Sequence, residues 1–377
     1  MPHPIRLIAL LFLLLPGLIA CENTSQSTLP LARGTDDEVL LVMDSVAWQG
    51  ELGDELRRTF REAMPGLPQD EPYFDLRYVD PFKLNSVLRS AKNILFVTTL
   101  DNQTEAGRRM QSYFTEESIK RIREDTDLYM FERQDEFARG QEIYHLFGNT
   151  EDELIDNIQE NRLKIRQRLE NVLLDRITQG LYKGNEQRSV SKYLLENHGF
   201  SLRVPFGYDV VPLPDDPDDF VWLRQLGEID KNVVVTYKDY TSEDAFAPKN
   251  ILAFREKQLG RYIVDDPEDP TAHMTVQRVV PKEEGVALDT ITLVEFDTVT
   301  FQGKFAVEAR GLWRMSNDAM GGGFLSYTFV DETQDRLYYI EGYVYSPGEK
   351  KRPSIRELEA ILRTFSTPQE PQPTAAK

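Results

Sequence analysis

Cysteine is almost absent from this chain: there is one, Cys21, and no second thiol to pair with it. That excludes an internal disulfide and a cysteine metal cluster, and leaves the folded body without a thiol nucleophile, so folding rests on packing. Histidine is nearly as scarce. Beyond the first segment only His145, His198 and His273 remain, and no His-Glu-x-x-His pair places two imidazoles on one helical face. The phosphate-binding loop, the Gly-x-Ser-x-Gly elbow and the dinucleotide glycine pattern between a strand and a helix are all missing. Positive charge is short as well, with 44 Lys and Arg against 63 Asp and Glu and a net charge of −19. A surface of that sign repels nucleic acid and anionic headgroups, so nucleic-acid binding is not expected. The longest uninterrupted apolar run, Leu7–Leu15, falls well short of the roughly 20 residues that cross a bilayer.

What is present at the N-terminus is an address. Arg6 precedes the apolar run, Pro16-Gly17 follows it, and then comes Leu18-Ile19-Ala20-Cys21. A short apolar core behind one positive charge reads as a secretion signal. The last four residues resemble the lipobox of bacterial lipoproteins, which implies diacylglycerol on the Cys21 thiol, cleavage before it and acylation of the new amine. A thiol is the nucleophile such chemistry needs, and two or three acyl chains anchor stably where one is marginal. Residues 1–20 are therefore expected to be a signal peptide, with Cys21 as the palmitate-bearing first residue of an envelope protein, in the outer membrane, on either face. Loss of Arg6 takes the mature net charge to −20.

The rest is a globular mixture, 40% hydrophobic and 10% aromatic, long enough for two cores. Residues 21–36 read as a flexible tether, 37–198 and 199–366 as two domains, and 367–377 as a Pro- and Gln-rich disordered tail. The fold class expected is α/β plus α+β. In the first domain Glu38–Asp44, Phe74–Asp80 and Ile94–Leu100 have strand composition, and helical spacing over 54–64 and 82–91 separates them, giving β-α-β-α-β with parallel strands. Further strands are expected near 128–131 and 142–147. Thr150 and Glu153 form a capping box. It opens a long amphipathic helix with Leu154, Ile158, Ile165, Leu169, Val172 and Ile177 on one face, suited to cover the sheet, bridge the domains or meet a coiled-coil partner. A helix over 186–197 ends at Gly199. From Phe200 onward strands at 200–204, 208–211, 220–226, 232–237, 273–280, 290–300, 305–315, 324–330 and 337–345 alternate with turns at Gly303-Lys304, Gly321–Gly323 and 331–336. Helices are expected near 249–262 and 355–365, set against an antiparallel sheet.

Leu202-Arg-Val-Pro-Phe-Gly-Tyr208, the hairpin at Gly303, and the span from Tyr345-Ser-Pro347 to Leu362-Arg-Thr-Phe365 are similar to landmarks of the PsbP and Mog-type sheet-and-helix fold. Over residues 36 to 367 the chain resembles an uncharacterised family of Bacteroidetes lipoproteins carried as domain of unknown function 4837. The residues that carry this are Trp48-Gln-Gly50 with Gly53-Asp54, Leu67-Pro-Gln69, Glu71-Pro-Tyr-Phe74, Asn93-Ile-Leu95, and Gly311-Leu-Trp313 leading to Met320-Gly-Gly-Gly-Phe324. Gly323 stands where the resemblance leads one to expect proline. The resemblance implies no activity.

Three carboxylates remain as candidates. Asp44, Asp80 and Asp101 each follow a strand, at the carboxyl edge where open α/β sheets bind ligands. With Trp48 as a wall they could hold Mg²⁺ or a cationic ligand, or each could simply end a turn. Ser189-Val-Ser-Lys192 has the spacing of penicillin-interactive enzymes but no Lys-Thr-Gly partner. The acidic turns at 215–219 and 265–269 lack the EF-type calcium arrangement. No cofactor, metal or catalytic set is expected. Two functional readings follow: a non-enzymatic, lipid-anchored envelope protein that binds or scaffolds another envelope component, with aromatics such as Tyr73, Trp222 and Trp313 as a contact surface, or a metal-assisted hydrolase using the three aspartates.

Overall fold

The computed structural model describes residues 29–368 except 216, 267–268, 280–281, 284–285 and 288–290. The segment expected to be a signal peptide, Cys21 and the tail from 369 lie outside these residues.

Five strands form the first sheet: β1 (Glu38–Val42), β2 (Asp75–Val79), β3 (Asn93–Thr99), β4 (Met130–Gln134) and β5 (Glu142–Gly148), in the order β2-β1-β3-β5-β4. β1, β2, β3 and β5 are parallel, and β4 runs antiparallel along the edge. β3 and β5 are buried at every position because helices cover both faces, which explains the unbroken apolar run from Ile94 to Val97 in β3. The connections are α1 (Ser45–Gln49), α2 (Glu51–Phe60), α3 (Glu105–Gln111), α4 (Glu116–Glu124), the long α5 (Glu151–Tyr182) and α6 (Arg188–His198). Residues 30–33, expected in the tether, instead bond to the sheet's amino edge: the amide of Ala32 donates to Arg139 O at 2.9 Å, and that of Arg33 to Ser90 O at 2.7 Å. Free backbone groups of the 89–92 and 139 segments recruit them.

The helix expected over 82–91 is two 3₁₀ turns, 81–83 and 88–90, because the Asn85 side chain accepts the amides of Val87 and Leu88 and ends one turn where the next begins. α3 and α4 were not expected. Each is short and polar, but Thr104 and Thr115 cap them by accepting the amides of Gly107 and Ser118. α5 begins at the expected cap, with Thr150 accepting the amide of Glu153, although the Glu153 carboxylate reaches back to the amide of Asn149 and not to that of Thr150, and the helix runs on past its expected end at Gly180.

The second sheet is a curled antiparallel one: β6 (Asp209–Val210), β7 (Phe220–Gln225), β8 (Asp230–Asp239), β9 (Val264–Asp266), β10 (Asp269–Val276), β15 (Val294–Phe301), β16 (Lys304–Met315), β17 (Gly321–Asp331) and β18 (Arg336–Tyr345). Its order is β6-β7-β8-β18-β17-β16-β10-β9, with β15 on β16. Two small ladders pair β11 (Arg278–Val279) with β14 (Ile291–Thr292), and β12 (Lys282–Glu283) with β13 (Val286–Ala287). α7 (Pro248–Tyr262) covers one face and α8 (Arg352–Leu362) the other. No ladder forms over 200–204, where Ser201 makes only a bridge to Ser366. Gly321–Gly323 are not the hairpin turn but the first rungs of β17, opposite Arg314, Trp313 and Leu312. The reason is space: a Cβ on Gly322 would lie 2.0 Å from Val344 O, and one on Gly323 2.5 Å from Gly66 O.

One apolar cluster joins the two sheets. It runs from Val39, Leu41 and Leu95 through Leu56, Leu169 and Leu173 to Ile361, Leu325 and Ile340, so that α2, α5 and α8 form a shared layer. Charge is buried in the same seam. Arg352 of α8 donates to Asp37 at 2.6 Å and Asp75 at 2.8 Å, and Glu71 caps α8 by accepting the amides of Lys351 and Arg352 at 2.7 and 3.1 Å. Arg310 of β16 meets Glu308 at 2.6 Å and Glu359 at 2.8 Å, while Arg356 bonds Tyr73 O and stands 3.9 Å from Glu170.

Candidate functional site

The strand order reverses at β1 and β3, and the carboxyl edge there is where a doubly wound sheet opens a crevice. Asp44, Asp80 and Asp101 all lie on that edge, as parallel strands demand, but each is spent on local structure. Asp44 is 5% exposed; its Oδ1 accepts the amides of Val46 and Ala47 at 2.7 and 3.3 Å, and its Oδ2 accepts the Thr104 hydroxyl at 2.6 Å. That last bond ties the loop after β1 to the loop after β3. Asp80 accepts the amide of Phe82 at 2.8 Å, and Asp101 accepts that of Glu151 at 3.4 Å, at the start of α5. Trp48 is not an open wall: it stacks on Tyr78 at 5.4 Å with the rings within 2° of parallel, and Arg57 lies 4.3 Å over it. Burial first, then Asp80 and Asp44, raises the pKa of the Tyr78 phenol. Among the described residues no group of three or more His, Cys, Asp or Glu is placed to hold a metal ion.

The other sequence candidates disperse, and of the aromatics expected at a contact surface Tyr73 and Trp313 are buried in the core while Trp222 packs half-buried against it. Lys192 reaches Glu196 at 3.5 Å on the exposed face of α6, away from any partner strand. His198 is buried against Asp218 O at 2.9 Å, His273 sits at the end of the sheet bonded to Thr271 O, and His145 is enclosed by phenylalanines of the first domain.

An open groove of about 1030 Å³ lies instead on the second sheet, among the β15–β16 hairpin, the β17–β18 hairpin and the 3₁₀ turn after β8. The two-residue turn Gln302-Gly303, with φ of 50° and 78°, swings the strand back so that Phe305 projects outward. Phe305 is 56% exposed and meets Phe246 edge-on at 5.0 Å, with Tyr240 6.3 Å beyond. These rings form the apolar wall. At the base Asp331 is almost fully buried and accepts Lys304 Nζ at 2.8 Å, the amide of Thr333 at 3.0 Å and the hydroxyls of Thr333 and Thr367. Burial alone would push its pKa up; the bonds from Lys304, Thr333 and Thr367 outweigh it and hold the carboxyl well below the usual range. Lys304 is thereby neutralised. Around the rim Glu243, Glu332 and Asp335 are exposed, and none makes a salt bridge among the described residues. The arrangement can hold a chain that brings apolar side chains to the wall and positive charge to the rim. Both hairpins were legible as turns in the sequence; that they converge with 240–246 was not.

Residues 187–364 match the family described as Domain of unknown function (DUF4837), and residues 32–182 match another described as Domain of unknown function (DUF8532). The resemblance read over residues 36 to 367 thus divides: Trp48–Asp54, Leu67–Phe74 and Asn93–Leu95 fall in the second of these families. No curated protein matches the chain. Among solved structures, cyanobacterial PsbP from Synechocystis sp. PCC 6803 is similar at 13% identity and TM-score 0.29, over 45% of this chain and 87% of that one. The Saccharomyces cerevisiae Ran-binding protein Mog1p is similar at 13% identity and TM-score 0.27, over 45% and 90%. A Bacteroides thetaiotaomicron structure follows at 10% and 0.23, over 46% of each chain. The chain thus carries a DUF8532 match over residues 32–182 and a DUF4837 match over residues 187–364, both described as domains of unknown function.

Proposed function

We infer that the chain is a lipid-anchored envelope protein that binds another envelope component through the groove of its second sheet and does no chemistry of its own. The observation that carries this reading is the pairing of an exposed aromatic wall, Phe305 on Phe246, with a rim of three carboxylates that lack cationic partners. The partner it suits presents lysine or arginine interleaved with apolar side chains. Desolvated aromatic anchors supply most binding energy at such surfaces, while rim charge selects the partner and speeds encounter. Leu18-Ile-Ala-Cys21 supports the anchor, and the acidic body supports a partner that is neither nucleic acid nor an anionic lipid surface. The three aspartates of the carboxyl edge, each bonded to local groups, give the hydrolase reading no support.

The test places a photo-crosslinking phenylalanine analogue at position 305 in the native envelope, with position 87, exposed on the first domain, as control. The expected result is a discrete adduct specific to 305 and lost in Glu243→Lys/Glu332→Lys. Identical adduct patterns at both positions would overturn the groove. Fatty-acid labelling tests the anchor separately: Cys21→Ser should abolish the label, and a label that persists would overturn it.

A further inference from the structure

A second cavity, in the other half of the chain and independent of the groove, lies between α4 and the antiparallel edge of the first sheet. It measures about 190 Å³ and is lined by Arg121, Ile122, Leu128, Phe131, Arg133 and Phe147. In a chain of net charge −19, the charged side chains that line it, among the described residues, are two guanidiniums. Neither is well neutralised: Arg121 makes no salt bridge among the described residues, and Arg133 has only Glu136 at 3.5 Å, both partners partly exposed.

The walls are aromatic and rigid. Phe131 and Phe147 lie 5.5 Å apart, Phe114 packs edge-on against both at 5.8 and 5.7 Å, and Arg133 lies 5.3 Å over Phe131. Behind Phe131, His145 stacks at 4.3 Å; it is 3% exposed, and neither ring nitrogen has a partner. Burial, and then Arg133, lowers its pKa to about 3, so the imidazole is neutral and adds no charge to the floor. Guanidinium groups grip a carboxylate through paired, charge-assisted bonds. Pockets for drug-sized molecules run from about 300 Å³ upward, so this one admits a single ring or a short aliphatic body.

The geometry points to a binding site for a compact organic anion, its carboxylate held by Arg121 and Arg133 and its apolar body against Phe131 and Phe147. Benzoate is the probe. The mature chain, carrying Cys21→Ser and ¹⁵N-labelled histidine, is titrated while the His145 ring signals are followed, because that ring touches Phe131 and reports on the wall. A saturable shift is expected. Benzamide, the uncharged isostere, and the Arg121→Gln and Arg133→Gln variants should each weaken it by about tenfold, as loss of a charge-assisted bond does. Arg168→Gln, whose partner is Glu132 outside the cavity, should leave it unchanged. No saturable shift, equal affinity for benzamide, or unaltered binding in the Arg121→Gln/Arg133→Gln double variant overturns the site. Inorganic phosphate binding as tightly as benzoate overturns the apolar half of the proposal. Both arginines are largely exposed, so the variants keep the fold, and amide spectra check it.

Discussion

Replacing Glu170 with glutamine should make the protein more stable above neutral pH. Glu170 points from α5 into the seam between the two halves, with a fifth of its side chain still exposed. Burial, then the Glu359 carboxylate, raises its pKa from 4.5 to about 7; Arg310 and Arg356 from the facing elements and Arg166 from its own helix oppose this without cancelling it. A pKa raised in the folded state means that the native protein binds this proton more tightly than the unfolded chain does. The stabilisation is complete below about pH 4.5 and is lost as pH rises to about 7, beyond which the ionised carboxylate remains a burden. The interval corresponds to about 3 kcal/mol, an upper figure given the residual exposure. Glutamine mimics the protonated form in shape and keeps a hydrogen-bonding oxygen. Urea unfolding of wild type and Glu170→Gln from pH 4.5 to 8, followed by fluorescence of the buried Trp313, should show a difference near zero at pH 4.5 that grows by 1–3 kcal/mol in favour of the variant by pH 8. A difference that stays flat with pH, or a variant less stable than wild type at pH 8, would refute the reasoning.

Arg255 and Glu341 form a fully buried bidentate pair with both bonds at 2.7 Å, and Glu341 also accepts the Tyr339 hydroxyl. Glu341→Gln should cost about 3–5 kcal/mol in denaturation, and the Arg255→Met/Glu341→Leu pair should recover most of it, because a lone buried charge costs more than none. Glu71→Ala removes the side-chain cap of α8 and should cost about 1–2 kcal/mol, seen as earlier hydrogen exchange at Lys351 and Arg352. Trp313→Ala should cost about 3–5 kcal/mol, since the ring is 3% exposed and its Nε1 donates to Val344 O at 3.1 Å. Asp44→Ala should cost about 1–3 kcal/mol by thermal melting, through loss of a helix cap and of the tie to Thr104.

By itself the sequence determined most of the elements and the class of the fold. Period and caps are local properties, so β1, β3 and β5, the start of α5 at Thr150, the end of α6 at Gly199 and the presence of a hairpin at Gly303 could be read from a few neighbouring residues, although the turn is Gln302-Gly303 and Lys304, expected within it, is the first residue of β16. Local signals also misled. Asn85 split a helix that spacing favoured, and Gly321–Gly323 read as a turn until the approach of Val344 and Gly66 showed why side chains are absent there. The parallel order placed Asp44, Asp80 and Asp101 on one edge, as expected, but only side-chain partners revealed that each is a cap. The groove, the arginine-lined cavity and the buried seam belong to the tertiary structure. Phe246 and Phe305, Arg121 and Arg133, and Glu170 and Arg356 meet because strands and helices pack face to face, and no periodicity records which face meets which.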